Sequence, residues 1–229
     1  MTALLTQKIM VPLLYLLIAI AIGAVEGMIL KMIFASSEQE FLRTAFSQFV
    51  SEDVLKDLLK NPEKLKLAGK EIPITVMFMD VRGFTAYSEK HEPSEVVARL
   101  NEILDKVTHI ILEHDGTVDK YMGDAVMAIW GAPNSDRKQA QKACRAAIDI
   151  QKKLAKDAHF KVGIGINYGK AIVGNIGSSK RFDYTAIGDT VNTASRLESA
   201  TKELGTAIVI SGSVKEKLTA EWAGIKTQD

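Results

Sequence analysis

A chain of 229 residues, of which 47% are hydrophobic, can bury one substantial core with a small appendage, which argues against two full catalytic domains. Its formal net charge of +1 gives no global attraction for nucleic acid, so a phosphate ligand has to be held locally. The single cysteine, Cys144, excludes an intrachain disulfide and a zinc site built from thiols.

The amino-terminal 35 residues carry a long apolar run. Val11–Val25 contains no charged residue, and Ile9–Leu30 is long enough to supply the roughly 20 residues that cross a bilayer. A signal peptide is the alternative, but the run lacks an obvious small-residue cleavage site. Glu26 lies near the end of the run, where a carboxylate can reach the interface or pair with a neighbouring chain. We therefore predict a membrane-spanning helix within residues 1–35, with its orientation only weakly indicated by sparse flanking charge.

Residues 36–70 are predicted to form a polar connector with helical character. Apolar residues recur there at helical spacing in two stripes, Asn61-Pro62 interrupts the pattern, and Gly69 is expected to end it. The segment is either an amphipathic helix that pairs with its copy and passes on a signal, or a spacer that packs on the following domain. The sequence leaves both possibilities open.

From Ile72 onward the pattern changes to alternating strands and helices. A short apolar strand over Ile74–Met79 ends in a polar turn, and a helix that opens at Pro93 is expected to stop at Gly116. We further predict strands over Thr117–Lys120 and Ala125–Trp130, a helix over Asp136–Leu154, a hairpin of Lys161–Asn167 with Ala171–Asn175, a strand over Phe182–Ile187, a helix over Thr190–Leu204 and a strand over Ala207–Ile210. This order predicts an α/β fold of the α+β sandwich type, with a largely antiparallel sheet.

Two aspartates stand where predicted strands end or turn. Asp80 follows the first strand, and Asp124 lies in a hairpin turn beside Gly123. Magnesium prefers hard oxygen ligands and takes one or two carboxylates together with substrate phosphates. If the two strands are neighbours, both carboxylates reach one edge of the sheet. The alternative is that Asp80 caps a loop and Asp124 only forms the turn, and spacing alone does not decide between them.

Four segments taken together resemble the signature segments of class III nucleotide cyclases. They are TVMFMDVRGFT (Thr75–Thr85), DKYMGD (Asp119–Asp124), a central segment in two parts, VGIGINYG (Val162–Gly169) and VGNIG (Val173–Gly177), and TAIGDTVNTASR (Thr185–Arg196). Their order and intervals match that family over roughly Phe46–Leu218. The resemblance implies a ferredoxin-like cyclase catalytic domain over residues 71–229.

The resemblance also implies a dimer whose active sites lie at the interface and use two metal ions, Mg²⁺ or Mn²⁺, to cyclise a nucleoside triphosphate. Asp80 and Asp124 would hold both ions, and the carbonyl of Val81 would add a ligand. The partner chain would supply Asn192 to orient the ribose and Arg196 to stabilise charge on the α-phosphate.

The choice of base is expected to depend on Lys120 and Thr185. Lysine is donor-only and suits the N1 acceptor of adenine, whereas a threonine hydroxyl can accept from the exocyclic amine. Within the family, lysine with aspartate or threonine resembles the adenylate type, and glutamate with cysteine resembles the guanylate type. The pair therefore favours ATP.

Phosphate contacts are expected from the turn formed by Gly83, Phe84 and Thr85, whose backbone N–H groups suit phosphate oxygens. Lys161 stands where the family often has an arginine that contacts phosphate, and it keeps the charge but loses bidentate geometry. The family usually continues with further strands and a triphosphate-binding lysine, for which Lys226 cannot be aligned. A truncated domain and a naturally short, weaker enzyme both fit this departure.

The expected function is a membrane-tethered adenylate cyclase that converts ATP to 3′,5′-cyclic AMP and pyrophosphate as a homodimer. Its catalytic domain is expected on the cytoplasmic side of the cell membrane. The alternatives are a catalytically weak, nucleotide-sensing dimerisation module and a guanylate cyclase. An RNA-binding ferredoxin-like sheet is disfavoured by the neutral charge and by the lack of exposed aromatic residues on adjacent strands, so no nucleic acid partner is expected.

Overall fold

The computed structural model describes residues 68–155, 160–178, 181–219 and 222, together with Gly23, Glu26 and Met28. Apart from those three residues, the predicted membrane helix lies outside the described part, as do the connector up to residue 67 and Lys226, so these stay predictions. None of the helices described is both long enough and apolar enough to cross a bilayer.

The described residues form a single sheet with helices packed on it. The elements are β1 (Ala68–Arg82), α1 (Phe84–Ser88), α2 (Pro93–Glu113), β2 (Thr117–Met122), β3 (Ala125–Trp130), α3 (Gln139–Leu154), β4 (Lys161–Gly177), β5 (Phe182–Ile187), α4 (Asp189–Glu203), β6 (Ile208–Ile210) and α5 (Gly212–Lys215). The strand order is β2-β3-β1-β4-β5, with β6 beside β4. Every pair is antiparallel except β4 with β6. The predicted α+β fold with a largely antiparallel sheet is confirmed.

Alternation along β1 divides its side chains between two layers. Met77 and Met79 lie in the larger core, which includes residues of α2 and α3 and the buried Trp130. Val76 lies in the smaller core on the opposite face, which includes Ala194 of α4. Because successive side chains of a strand point to opposite faces, Asp80 is directed toward the layer that contains α4.

The predicted hairpin of Lys161–Asn167 with Ala171–Asn175 is wrong, because both segments belong to the single 17-residue strand β4. This strand pairs with β1 along its length. The glycines of the segment do not break the strand but allow α4 to pack closely against it. A Cβ on Gly165 would lie 2.1 Å from the backbone nitrogen of Glu198. Glycine in a strand can thus mark the close approach of another backbone.

The first strand also begins earlier than the sequence pattern indicated. Gly69, expected to end the connector, lies inside β1, because residues 68–72 pair with the second half of β4. Pro73 is tolerated within the strand because β3 pairs with β1 only over Thr75–Met79, so proline costs no hydrogen bond on that side. The domain boundary predicted at residue 71 therefore falls within a strand.

Helix α2 ends at Glu113, before the predicted stop at Gly116. The left-handed conformation that follows belongs to Asp115, whose φ is 57°. Gly116 has a different role, because a Cβ there would lie 2.5 Å from the ring of Trp130. The glycine therefore leaves room for the buried indole ring of Trp130.

Candidate active site

The carboxyl end of β1 and the turn between β2 and β3 lie together at one end of the strands of the sheet. Met79 pairs with Val126 of β3, so Asp80 lies beside the start of β3 and Asp124 in the turn just before it. Gly123 permits this tight turn with a φ of 67°. Burial raises the pKa of the Asp124 carboxyl, and the negative charge of Asp80 raises it further. The two carboxylates predicted as metal ligands therefore lie within electrostatic reach of each other.

A lysine of α4 lies against this carboxylate pair. The Nζ atom of Lys202 is 2.9 Å from Oδ2 of Asp80, and this hydrogen bond raises the pKa of the ammonium. Glu198, one turn earlier on α4, is buried, and burial raises the pKa of its carboxyl, with the charge of Asp80 adding to the rise. The fold thus gathers three carboxylates around one ammonium.

This arrangement fits a divalent cation. Carboxylates that repel one another and attract an ammonium supply the hard, negatively charged oxygen atoms that Mg²⁺ and Mn²⁺ prefer. Within the described ranges no group of three or more Asp, Glu, His or Cys side chains is arranged as a metal site. Asp80 and Asp124 would therefore hold the ions together with oxygen atoms of the substrate phosphates. Val81 could add only its backbone carbonyl, because its aliphatic side chain, which is buried in the core, has no donor atom.

Replacing Lys202 with methionine is expected to tighten Mn²⁺ binding to the nucleotide-free protein about two- to fivefold. Lys202 competes with the metal for Asp80, and an exposed ion pair of this kind contributes roughly 0.2–1 kcal/mol. Electron paramagnetic resonance of free Mn²⁺ measures the change in dissociation constant. Lys152→Met is the matched control, because Lys152 pairs with Asp149 at 3.2 Å on α3. Weaker Mn²⁺ binding by Lys202→Met would show that Lys202 does not compete with the cation.

The two residues predicted to read the base are joined through a third. Thr185 Oγ1 donates to Oδ2 of Asp119 at 2.6 Å, and the backbone N–H of Ala186 donates to the same oxygen at 3.3 Å. Lys120 Nζ lies 3.3 Å from Oδ1 of Asp119, whose side chain is fully buried. Burial raises the pKa of the Asp119 carboxyl, whereas the hydrogen bond from Thr185 and the positive charge of Lys120 favour its charged form.

Asn192 and Arg196 lie one turn apart on α4, and both are exposed. The buried face of this helix is formed by other residues, namely Thr190, Ala194, Glu198 and Thr201. Among the residues that the structure describes, no side-chain hydrogen bond or ion pair joins Asn192 or Arg196 to Asp80 or Asp124, and Asp80 pairs with Lys202 instead. Within one chain, the residues predicted for the ribose and the α-phosphate therefore form no such bond with the carboxylate pair.

The predicted phosphate contacts lie near the end of β1. Gly83 has a φ of 77° and precedes α1, which replaces the predicted simple turn and includes Phe84 and Thr85. The N–H groups in the first turn of a helix have no partners within that helix, so Phe84 and Thr85 can offer them to an anion. Lys161 is exposed at the start of β4, opposite Arg82.

Sequence reasoning missed Asp119, Glu198 and Lys202. Asp119 lies within the segment Asp119–Asp124, in which the resemblance to the family assigns roles only to Lys120 and Asp124. Glu198 and Lys202 are four residues apart on α4, a spacing that predicts contact along a helix face but not with a strand. Only the pairing of Asp119 with β5, and of α4 with the end of β1, assigns them to the site.

Comparisons with known proteins identify the family to which the domain is related. The family profile described as the adenylate and guanylate cyclase catalytic domain matches residues 68–229. Adenylate cyclase 1 of Rhizobium meliloti (strain 1021) is 38% identical over 178 residues, which cover 74% of this chain and 27% of that protein. This chain therefore spans only about a quarter of the length of that relative.

Solved structures show the same fold. A bacterial light-regulated adenylyl cyclase superposes with a TM-score of 0.73 at 29% identity, covering 84% of this chain and 58% of the other. The guanylyl cyclase Cya2 superposes with a TM-score of 0.57 at 37% identity, covering 66% of this chain and 80% of the other. With the profile covering most of its length, the chain belongs to the family of adenylate and guanylate cyclase catalytic domains.

Proposed function

We propose that this domain is an adenylate cyclase, which converts ATP to 3′,5′-cyclic AMP and pyrophosphate. The observation that carries the proposal is that one hairpin, β2–β3, bears both Asp124, beside Asp80, and Lys120, joined to Thr185 through Asp119. A candidate metal site and a candidate base site thus lie on adjoining residues. The adenylate cyclase of Rhizobium meliloti, at 38% identity, supports this choice.

In the proposed reaction the ribose 3′-oxygen forms a bond to the α-phosphorus, the bond from that phosphorus to pyrophosphate breaks, and the 3′-hydroxyl passes its proton to solvent water. Members of the family use divalent metal ions. Two such ions would lower the pKa of the 3′-hydroxyl and neutralise negative charge on the triphosphate. Asp80 and Asp124 would hold these ions, either Mg²⁺ or Mn²⁺. Their placement at a strand end and in a tight turn supports this role, because both carboxylates would lie near each other before substrate binds.

Other residues of this chain would position the nucleotide. The backbone N–H groups of Phe84 and Thr85 would receive phosphate oxygens, and the glycine at position 83 allows the chain to enter α1. Lys161 would add positive charge at the same edge. Lys120 would donate to N1 of adenine, and Thr185 would accept from the exocyclic amine.

A second copy of the chain would complete each site. Asn192 and Arg196 are exposed and form no hydrogen bond or ion pair with Asp80 or Asp124 of their own chain within the described residues, which supports a role toward a partner. Large apolar side chains are also exposed on β2, β4 and β5, namely Tyr121, Met122, Ile172 and Ile187, and burial of such a surface would favour association. Because one chain carries both halves, a homodimer could form two equivalent sites.

The test is production of cyclic AMP by the full chain supplied with ATP and either Mg²⁺ or Mn²⁺. A dimeric preparation that produces none with either metal would contradict the proposal. Faster turnover of GTP would indicate a guanylate cyclase, and nucleotide binding without turnover would indicate a sensing module. The proposal includes tethering through Ile9–Leu30 with the domain on the cytoplasmic side, so activity confined to the soluble fraction would contradict that part.

Replacing Lys120 with glutamate is expected to lower kcat/KM for ATP by about 100-fold and to lower that for GTP less. The change removes the donor to N1 of adenine and leaves an acceptor against it, and an unpaired buried polar contact costs about 1–3 kcal/mol. Steady-state kinetics with both nucleotides measure the ratio. Lys153→Glu, the same charge change at an exposed position of α3, should leave the ratio unchanged. An unchanged ratio in Lys120→Glu would refute the role of Lys120 in base choice.

A further inference from the structure

We propose that Asp119 sets the base preference of this site by making the Thr185 hydroxyl an acceptor only. The inference rests on the proposed cyclase function and assigns a positioning residue within it. Asp119 does not read the base itself, because its side chain is fully buried. It acts through the two side chains that it holds.

The local backbone is built to direct Asp119 inward. The register of β2 with β3 shifts between Val118, which pairs with Ala128, and Lys120, which pairs with Met127. Asp119 is thus the extra residue of a β-bulge, a feature that redirects side chains and is frequent beside active sites. In a regular strand, neighbouring side chains would point to opposite faces. The bulge instead lets Asp119 and Lys120 approach to 3.3 Å between Oδ1 and Nζ.

The same carboxylate joins β2 to β5. These strands stand at opposite ends of the order β2-β3-β1-β4-β5, yet they approach each other closely enough for Asp119 to accept hydrogen bonds from Thr185 and Ala186 of β5. The bulged residue therefore holds Lys120 and Thr185 in a fixed relation, although they are 65 positions apart in the chain.

The direction of the hydrogen bond determines what Thr185 can offer a base. A hydroxyl has one proton and two lone pairs, and an ionised carboxylate can only accept. Since the Thr185 hydroxyl donates its hydrogen bond to Asp119 at 2.6 Å, only its lone pairs remain for a ligand. They can accept from the exocyclic amine of adenine, whereas the O6 atom of guanine is itself an acceptor and would find no proton.

Replacing Asp119 with asparagine tests this assignment. An amide can accept from Thr185 as before, or donate to it and free its proton for guanine O6. We expect kcat/KM for GTP to rise and the ATP/GTP ratio of kcat/KM to fall about 10-fold, the size of one net hydrogen bond. If GTP turnover is too slow to measure, the inhibition constant of GTP against ATP gives the same comparison.

Variants of Thr185 supply the controls. Thr185→Ser keeps the hydroxyl and should keep the ratio, whereas Thr185→Val removes the hydroxyl and should lower it about 10-fold. Adding Asp119→Asn to Thr185→Val should change the ratio no further, because the hydroxyl through which Asp119 acts is gone. These two Thr185 variants, made with Asp119 intact, still test the inference if Asp119→Asn does not fold. An unchanged ratio in Thr185→Val would then overturn it.

A purely structural role for Asp119 predicts a different result. Loss of the hydrogen bonds that join β2 to β5 would lower kcat/KM for ATP and GTP in parallel and leave the ATP/GTP ratio unchanged. A folded Asp119→Asn protein with the wild-type ratio would overturn the inference while leaving the proposed function intact. A wild-type protein that cyclises neither nucleotide would instead refute the proposed function itself.

Discussion

Replacing Asp124 with alanine is expected to lower cyclic AMP production by at least about 1000-fold, or about 4 kcal/mol of transition-state stabilisation. The remaining carboxylate, Asp80, is already paired with Lys202 at 2.9 Å and cannot hold two ions alone. Initial rates at saturating ATP with Mg²⁺ and then Mn²⁺ measure the loss. Raising the metal concentration should recover little of it, because a ligand is missing rather than weakened.

The same variant should not lose stability at neutral pH. The folded protein raises the pKa of Asp124 through burial and the charge of Asp80, so folding disfavours the ionised form. A raised pKa contributes stability only where the group is protonated, and this contribution is lost as pH rises through the folded pKa. At pH 7 the alanine variant should therefore unfold at the same or a slightly higher temperature than the wild type. At acidic pH this advantage should disappear.

The matched control is Asp105→Ala, which removes an exposed aspartate from α2 and should leave both the rate and the unfolding temperature unchanged. A folded, dimeric Asp124→Ala protein that retains more than about a tenth of wild-type activity would contradict the metal assignment, because loss of a metal ligand should cost several kcal/mol.

The parts of the site predicted from sequence depend on short stretches of chain. Asp80 ends an apolar strand, and Asp124 follows a glycine in a hairpin turn, so local patterning places each carboxylate at the end of a strand. That the two strand ends lie together depends on the pairing of β1 with β3, which the sequence left open. The pattern over residues 161–177 predicted two strands where there is one, because glycines that admit α4 weaken the strand signal.

The parts that sequence could not predict depend on long-range pairing. Lys202 reaches Asp80 across 122 positions of the chain, and the helix periodicity of α4 says nothing about which strand it covers. Asp119 is directed inward by a bulge, which breaks the alternation from which strand side chains are assigned to a face. An aspartate beside a lysine in a hairpin is ordinarily a solvated pair, and only the bond to Thr185 distinguishes it.

Two inactive variants are expected to restore activity to each other when they are produced in the same cell. Asp124→Ala lacks a metal ligand, and Arg196→Ala lacks the residue proposed to stabilise charge on the α-phosphate of the partner's site. In a symmetric dimer, a mixed pair combines the intact Asp124 of one chain with the intact Arg196 of the other. The second site of the pair carries both defects.

Random pairing gives about half mixed dimers with one working site of two, so coproduction should recover about a quarter of wild-type activity. Asp80→Ala coproduced with Asp124→Ala is the matched control, because both lesions then fall on the metal-binding half and no pair contains an intact site. Recovery in the first mixture alone would require Arg196, which is exposed on α4, to act on another chain's substrate. If Arg196 instead acted within its own chain, every chain in the first mixture would carry a defective site and both mixtures would stay inactive.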